Sequence, residues 1–250
     1  MATLCGRLMA PLPQAPLFKV LVAAIEAEYA RLGHILGWRF LNVSSNVLNG
    51  PVHIALVTIN PAGDHIPRDH PAASCENGAS YLVERWGNSE PGRSTLQVQV
   101  QLLFAALAAE LRYTGSPNQL LESSLVSQFI PFRSPRFAQL PRQGESITFA
   151  RVLWSRVLAA TQPRLIVCLG REVQQELTAL IPECLAARQG ETIALPTGWG
   201  NYNAEVTTFQ RSGLALRLLY LPHLSTWTLF TSQKCRAFMP AIIHAAARDA

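Results

Sequence analysis

Four polar side chains in this sequence lie in or directly after short apolar runs. Asn60 and Asp64 follow the first run in the order Asn-Pro-Ala-Gly-Asp, Gln128 lies within the second run, and His223 follows the last one. Amides hydrogen-bond water and polar ligands, and a carboxylate or an imidazole can also move a proton. A site that gathers these groups would bind a polar ligand and stabilise charge that develops on it.

The apolar runs predict the strands that would position these side chains. They are continuous and lack polar alternation, and they cover residues 52–59, 125–130, 165–169 and 214–221. Runs of this kind are typical of strands covered on both faces, and so of a mainly parallel sheet in an α/β sandwich. Ligands of open parallel sheets lie outside the carboxyl ends of the strands. We therefore expect Asn60, Gln128 and His223 around one pocket, with the helix start after Gly170 at the same edge.

Helical spacing of apolar residues predicts the elements that cover the sheet. Two clear segments and three further ones are expected to be helical, at residues 18–32, 96–111, 145–160, 172–181 and 233–247. No repeat, low-complexity tract or linker divides the chain, so we expect one domain over residues 1–250. The predicted fold is an α/β three-layer sandwich with a mainly parallel central sheet.

Composition excludes several classes of protein. Of the 250 residues, 49% are hydrophobic and 15% are charged, which excludes disorder for the bulk of the chain. No apolar stretch approaches the roughly 20 residues that a membrane span needs. Pro11, Pro13 and Pro16 interrupt what would be the core of a signal peptide. We expect a cytoplasmic protein that does not enter a membrane and works as a monomer.

The positive charge of the chain comes almost entirely from arginine. The formal net charge is +5, with 19 arginines and two lysines, Lys19 and Lys234. A basic excess suits a polyanion such as nucleic acid, and the guanidinium group suits phosphate. The alternative is an ordinary basic protein, and charge alone does not separate the two.

Several common catalytic motifs are absent. The sequence lacks G-x-S-x-G, the P-loop pattern, a full G-x-G-x-x-G and H-E-x-x-H. The serine hydrolase, nucleoside triphosphate and dinucleotide interpretations therefore lose their main support.

Metal and disulfide sites find little support. The five cysteines are odd in number, widely spaced and without a C-x-x-C pair, which argues against a disulfide framework and the usual zinc or iron–sulfur spacings. A crowded segment of possible ligands holds Asp64, His65, Asp69, His70 and Cys75. Because this segment is rich in proline, solvated turn formers are the preferred interpretation. No metal and no cofactor is predicted.

The order of four motifs resembles that of the uracil-DNA glycosylase superfamily. Residues 58–63, Thr-Ile-Asn-Pro-Ala-Gly, are similar to its first motif, and residues 222–225, Pro-His-Leu-Ser, to its last. Residues 126–133 resemble the strand end that carries the base-reading amide, and residues 164–170 the strand and helix start before the final motif. The resemblance covers residues 52–230. Each motif is short, so the resemblance rests on their order and spacing.

The resemblance implies a monofunctional DNA glycosylase, which flips a base out of DNA and hydrolyses its N-glycosidic bond to leave an abasic site. His223 takes the place of the family histidine, which hydrogen-bonds the developing oxyanion of the base. Asn60 takes the place of the family Asp or Asn, which holds the attacking water. Asp64, the nearest carboxylate, either adds basicity or caps a turn. Neither lysine lies beside a motif, which argues against a Schiff-base lyase.

Two departures from the family pattern bear on the substrate. Ala62 stands where the strict uracil enzymes have a tyrosine that blocks substituents on carbon 5, and Gln128 stands where the base-reading residue is typically asparagine. Both point to a 5-substituted pyrimidine, for which hypermodified phage cytosine is the leading candidate and phage defence the expected role. Excision of uracil or damaged bases in DNA repair is the first alternative. A non-catalytic DNA-binding protein of the same fold is the second.

The remaining candidates serve contacts with substrate or DNA. The aromatic side chains expected to stack on a flipped base are Tyr81, Trp86 and Phe132. The candidates for DNA contact are Arg133 and Arg136 in a proline-interrupted stretch, and Leu224, Ser225 and Trp227 beside His223. Of the latter, Leu224 and Trp227 are candidates for the wedge that fills the gap in the base stack. Core packing is the alternative for the aromatic residues, and solvated surface is the alternative for the arginines.

Overall fold

One mixed sheet of six strands organises the part of the chain that the computed structural model describes, residues 17–67, 69–211 and 214–248. The strands are β1 (Ile54–Thr58), β2 (Leu125–Gln128), β3 (Leu165–Leu169), β4 (Arg188–Trp199), β5 (Tyr202–Arg211) and β6 (Leu214–Leu221). Their order is β2-β1-β3-β6-β5-β4, in which the first four run parallel and β5 and β4 are antiparallel. The mostly parallel sheet confirms the predicted α/β class. Cys5 and the three N-terminal prolines lie outside the described residues.

Seven α-helices accompany the sheet within these residues. They are α1 (Leu17–Leu32), α2 (Ser80–Val83), α3 (Thr95–Glu110), α4 (Pro117–Glu122), α5 (Gln143–Thr161), α6 (Arg171–Leu185) and α7 (Met239–Ala247). They fall into two packing groups: α5 contacts α1 and α6, and α3 contacts α2, α4 and α7. This grouping is compatible with a three-layer α/β fold. No helix in the described part of the chain is long and apolar enough to cross a membrane.

Apolar runs and helical spacing located most of these elements. The four runs contain β1, β2, β3 and β6, and every residue of β1 and β3 is buried, as expected for strands with both faces covered. Helix α7 begins later than predicted, because residues 233–238 form turns and Pro240 stands in the first helical turn. The β4–β5 hairpin was not predicted, because Gly190, Pro196 and Gly198 interrupt its apolar pattern.

The four parallel strands end at the same level. Thr58 pairs in register with Gln128 on one side and with Leu169 on the other, and Leu169 pairs with Leu221. The residues after these positions therefore leave the sheet side by side at its carboxyl edge. Gly170 turns the chain from β3 into α6 with φ of 111°, a backbone conformation that favours glycine.

A short extended segment covers the outer edge of β2. Residues 38–42 run antiparallel to β2 and its continuation, with isolated bridges from Trp38 to Phe132 and from Leu41 to Ser127. The backbone N–H of Asn42 donates to the Val126 carbonyl over 2.8 Å. This edge cover satisfies the backbone groups of β2 and brings residues 39 and 42 to the carboxyl edge of the sheet.

Candidate active site

A cavity of about 370 Å³ opens at the carboxyl edge of the parallel strands. Its volume lies within the range of pockets that bind small molecules. Of the residues singled out from the sequence, the lining includes Asn60, Ala62, Tyr81, Trp86, Gln128, Arg133 and His223. Lining residues for which the sequence predicted no role at the site include Arg39, Asn42, Thr58, Glu84 and Leu96. The predicted convergence of Asn60, Gln128 and His223 on one pocket is therefore what the structure shows, whereas their roles stay predictions.

Asn60 follows β1 and is held by its amide nitrogen. Its Nδ2 lies 2.8 Å from the Ser134 hydroxyl oxygen and 3.2 Å from the carbonyl oxygens of Pro61 and Phe132. Carbonyl oxygens only accept, and the Ser134 hydroxyl itself donates to the Arg136 carbonyl, so the atom facing them must be the donor. The carbonyl oxygen Oδ1 of Asn60 has no donor among the described residues. It can accept a hydrogen bond from water.

Gln128, the last residue of β2, is fixed on both sides. Its Oε1 accepts a short hydrogen bond from the hydroxyl of Thr58, its register partner on β1. Trp154 of α5 donates its indole N–H to the Phe129 carbonyl over 3.0 Å, which anchors the backbone just beyond β2. The amide nitrogen Nε2 of Gln128 has no acceptor among the described residues, so it is free to donate to a ligand.

His223 stands in the turn that follows β6. Its Nδ1 accepts the backbone N–H of Ser225 over 3.3 Å and lies 2.8 Å from the Ser225 hydroxyl oxygen. Burial lowers the pKa of His223, and the charge of Glu172 opposes this only in part. The ring is therefore neutral near pH 7, and because Nδ1 accepts, its proton lies on Nε2. His223 thus offers an N–H donor without a positive charge.

Tyr81 and Trp86 form an aromatic wall of the cavity. Their ring centroids lie 5.0 Å apart in an edge-to-face arrangement. Two glutamines of α3 hold this segment: Gln101 donates to the Tyr81 carbonyl over 2.8 Å, and Gln97 donates to the carbonyls of Ser80 and Glu84 over 3.0 and 2.8 Å. Burial raises the pKa of Tyr81, so its hydroxyl stays neutral.

A buried ion pair lies at the β2 side of the cavity. Arg39 and Glu84 are 5% and 8% exposed, and Arg39 Nη2 lies 2.8 Å from Glu84 Oε1. The other nitrogens of Arg39 donate to the Leu41 and Pro71 carbonyls, and the indole N–H of Trp86 donates to Glu84 Oε2 over 3.1 Å. Each charge is therefore satisfied by protein groups. Arg39 among the mostly apolar residues 38–43 was a sequence signal for a buried charge, although it does not identify the partner.

Arg133 lies against the turn that follows β1. Its Nη1 donates a short hydrogen bond to the Ala62 carbonyl. A Cβ at Gly63, where φ is 123°, would meet the same nitrogen at 3.3 Å, so glycine at this position leaves room for the guanidinium. Desolvation, and next the charge of Arg39, lower the pKa of Arg133. The predicted role in following the DNA backbone does not match this position, because the half-buried side chain faces the cavity.

Two other predicted residues lie away from the cavity. The side chain of Asp64 is 80% exposed and pairs with His65 over 2.8 Å, and this hydrogen bond lowers its pKa. Its position fits the turn residue rather than a base that acts at the cavity. Phe132 is fully buried and stacks on His34, with ring centroids 4.4 Å apart. Contrary to the predicted stacking role, it has no face open to a flipped base.

The residues predicted to contact DNA differ in how far they are exposed. Leu224 is fully buried in the core, so as placed it does not project as a wedge. Ser225 is exposed, and its hydroxyl lies against the His223 ring. Trp227 packs beside Tyr202 and Trp199, with centroid distances of 4.1 and 5.6 Å. Arg136 is exposed, so it remains open to a phosphate contact.

The crowded segment of possible ligands does not gather into a metal site. Among the residues described, no three His, Cys, Asp or Glu side chains lie close enough to hold an ion. Asp64 is occupied with His65, and His70 Nε2 lies 2.9 Å from the Arg85 carbonyl oxygen.

The three side chains at the strand ends therefore offer the cavity a fixed set of neutral hydrogen-bonding groups. His223 and Gln128 present donors, Asn60 presents an acceptor, and an aromatic wall stands beside them. Donors of this kind stabilise negative charge as it develops on a ligand. Comparison of the sequence with protein-family models gave no match. Comparison with curated proteins gave no significant match.

Proposed function

We propose that the protein is a monofunctional DNA glycosylase with a uracil-DNA glycosylase-like, three-layer α/β fold, which removes a 5-substituted pyrimidine from DNA. The observation that carries the proposal is the meeting of three groups in one cavity: the Nε2–H donor of His223, the free acceptor of Asn60 and the amide of Gln128. Departure of a base requires a hydrogen-bond donor to the base and a bound water that attacks the sugar. His223 can supply the donor, and Asn60 can hold the water.

The reaction breaks the bond between the sugar C1′ and the base nitrogen, with both electrons leaving on the base. Negative charge then grows on a base oxygen, where the Nε2–H of neutral His223 donates to it. Positive charge grows on the sugar, and a water held by Oδ1 of Asn60 attacks C1′. The water proton passes to the departing base or to solvent, since an amide accepts hydrogen bonds but is no base.

A Schiff-base route lacks its nucleophile. No lysine is among the described residues that line the cavity, and Lys234 lies over the Trp199 ring, 4.4 Å from its centroid. The product is accordingly an abasic site with an unbroken strand. Removal of hypermodified cytosine from phage DNA is the role we favour.

The experiment is base release from double-stranded oligonucleotides that carry cytosine, uracil or a 5-substituted cytosine. Abasic sites are revealed by alkaline strand cleavage, and the freed base is identified by mass spectrometry. We expect release from a modified substrate, and a loss of about a hundredfold or more in His223→Ala, the scale of one transition-state donor. His244→Ala, an exposed histidine paired with Glu110, is the matched control.

Three outcomes separate the alternatives. Release of uracil alone would favour repair of uracil-containing DNA. DNA binding without release of any base would favour a binding protein, an alternative made specific by the absence of a carboxylate at residue 60 and the outward position of Asp64. Equal rates for the wild type and His223→Ala would contradict the assigned role of the histidine.

A further inference from the structure

The edge of the sheet opposite the cavity carries three arginines at strand ends. Arg164 directly precedes β3, Arg188 is the first residue of β4, and Arg211 is the last residue of β5. Strand β3 runs parallel to β6, β5 runs antiparallel to β6, and β4 runs antiparallel to β5. All three arginines therefore lie at the amino edge of the sheet, where the parallel strands begin, whereas the cavity lies at the carboxyl edge.

Arg217 of β6 joins the strands between these arginines. Its backbone N–H donates to the Arg164 carbonyl over 2.8 Å, and the residue pairs in register with Thr208 of β5. Its Nη1 donates to the Thr208 hydroxyl over 3.1 Å, and its Nε donates to the Arg248 carbonyl just after α7. Arg217 thus holds the amino edge together, and Arg164 lies beside it.

The register fixes the spacing of the three strand-end arginines. Arg188 pairs with Gln210, the residue before Arg211, so these two lie on neighbouring strands at the same level. The strand order β3-β6-β5-β4 separates Arg164 from Arg188 by three steps. Neighbouring strands lie about 4.8 Å apart, which gives a row of about 15 Å. We call Arg164, Arg188 and Arg211 the arginine row.

The charge of the arginine row is not balanced by the protein. Arg164 and Arg188 are exposed, and Arg211 is partly exposed. Within residues 17–67, 69–211 and 214–248, none of the three forms an ion pair or a side-chain hydrogen bond. The arginines that do pair with carboxylates there include Arg31, Arg39, Arg85, Arg142, Arg151 and Arg171. The row therefore presents a positive field to solvent, which attracts a polyanion.

A phosphodiester backbone fits this row better than an acidic protein does. The guanidinium fork matches the geometry of phosphate. One strand of B-DNA carries a charge every 3.4 Å along the axis, so a row of about 15 Å faces about four phosphates. A protein partner would need an apolar anchor at the centre of its interface. Among the described side chains, the only large apolar one exposed on β3 to β6 is Tyr202, at the far end of β5.

We propose that the arginine row is a second DNA-binding surface, which binds the backbone of one duplex while the cavity side of the same molecule faces another. One molecule then bridges two DNA segments. The inference goes beyond the proposed function, and it rests on that function only for the duplex at the cavity. It requires binding alone, so its test does not depend on the release of a base.

The test is the capture of a second duplex. Protein is loaded on an immobilised unmodified duplex and washed, and a fluorescent duplex of another sequence is added at one low, fixed salt concentration. We expect the wild type to retain the fluorescent duplex. In a variant that carries Arg164→Gln, Arg188→Gln and Arg211→Gln together, capture falls at least about tenfold per molecule of bound protein, because three phosphate contacts are lost.

A matched variant controls for net charge. It carries Arg31→Gln, Arg142→Gln and Arg151→Gln, which remove three exposed arginines on or beside α1 and α5. We expect its capture to stay within about twofold of the wild type. Thermal melting shows which variants are folded, and the three single variants of the row, each expected to lower capture, replace the triple variant if it does not fold.

Several results would overturn the second surface. Equal capture by the wild type and the row variant would do so, as expected if two copies of the chain bridge DNA through their cavities. Loss of the row variant from the immobilised duplex itself would show that the row holds the only duplex. Displacement of the fluorescent duplex by polyglutamate at a lower concentration of charge than by unlabelled DNA would favour an acidic protein.

Base release from a single duplex separates this proposal from the glycosylase. Capture that depends on the row, without release of any base, supports the second surface and overturns the glycosylase. Release without capture overturns the second surface and leaves the glycosylase standing. Neither capture nor release overturns both.

Discussion

Three hydrogen-bond contacts of its amide nitrogen hold the Asn60 side chain in place. Its nitrogen lies against two carbonyl oxygens and the Ser134 hydroxyl oxygen. The Ser134 hydroxyl donates its own hydrogen bond to the Arg136 carbonyl. All three neighbours present oxygen. The site is therefore built for an amide rather than a carboxylate at this position.

Asn60→Asp is accordingly expected to lower stability without raising the rate. It would place an oxygen against the carbonyls of Pro61 and Phe132 and leave them without a donor, at a cost of about 1–3 kcal/mol. Thermal melting measures the stability and base release measures the rate. Asn118→Asp, on the exposed surface of α4, is the charge control. A variant that is as stable as the wild type and faster would show that the residue 60 side chain serves as a base.

Ala62→Tyr tests the room beside carbon 5. Ala62 is exposed at the cavity wall, so a tyrosine there would add a bulky side chain at this wall. We expect release of bulky 5-substituted bases to be abolished and release of uracil, where present, to be spared, because a clash discriminates more sharply than a lost contact. Ala62→Ser is the matched small replacement. Equal loss for all bases would place the substituent elsewhere.

At the residue level the sequence located side chains at strand ends and missed those that long-range packing brings together. Asn60 and His223 were found because each follows an apolar run, and Gln128 was found because it is a polar residue within one. Arg39 and Glu84 meet across 45 residues, and no local pattern pairs them. Of the two interpretations left open for Asp64 the structure fits the turn residue, because nearness in sequence does not set the direction in which a side chain of a turn points.

At the element level, burial explains which strands the sequence predicts and which it misses. Continuous apolar runs identify strands that are covered on both faces, whereas the β4–β5 hairpin is mostly exposed along β4 and carries breaking residues. The hairpin ends in the pair Trp199 and Tyr202, beside Trp227 in the turn after His223. It therefore brings a partly exposed aromatic cluster, in which Tyr202 is the exposed member, close to the turn that carries His223.

Tyr202→Ala is expected to weaken DNA binding about tenfold or more, since aromatic stacking contributes roughly 1–3 kcal/mol per base. Tyr202 is 47% exposed, so the change should barely alter the melting temperature. Fluorescence anisotropy at one fixed salt concentration measures the affinity, with Tyr113→Ala, at an exposed tyrosine outside this cluster, as control. Equal affinities of the two variants would contradict a role of the hairpin in the proposed DNA binding.

At the scale of the molecule, buried histidines make stability depend on pH. Burial lowers the pKa of His34 and His223, and nearby carboxylates oppose this only in part. Below the ordinary histidine pKa of about 6.5 the unfolded chain binds protons that the folded one does not. The free energy of unfolding therefore falls as pH falls through this range.

We expect a lower melting temperature at about pH 5.5 than at about pH 7.5, in a window where most carboxylates stay ionised. His34→Gln removes one of the groups, and its melting temperature should change less between the two pH values than that of the wild type. His244→Gln, at an exposed position, is the control and should keep the full change. A melting temperature that rises on acidification would contradict the sign.

The edge cover of residues 38–42 has a consequence for how this protein could acquire new targets. It carries Asn42 and Arg39, yet it joins the sheet only along the outer side of β2, whereas Asn60, Gln128 and His223 stand on the parallel strands themselves. The three side chains on which the proposed function depends therefore lie on other stretches of chain than the lining that the edge cover adds. Exchanging the edge cover would change this part of the cavity lining and leave Asn60, Gln128 and His223 on their strands.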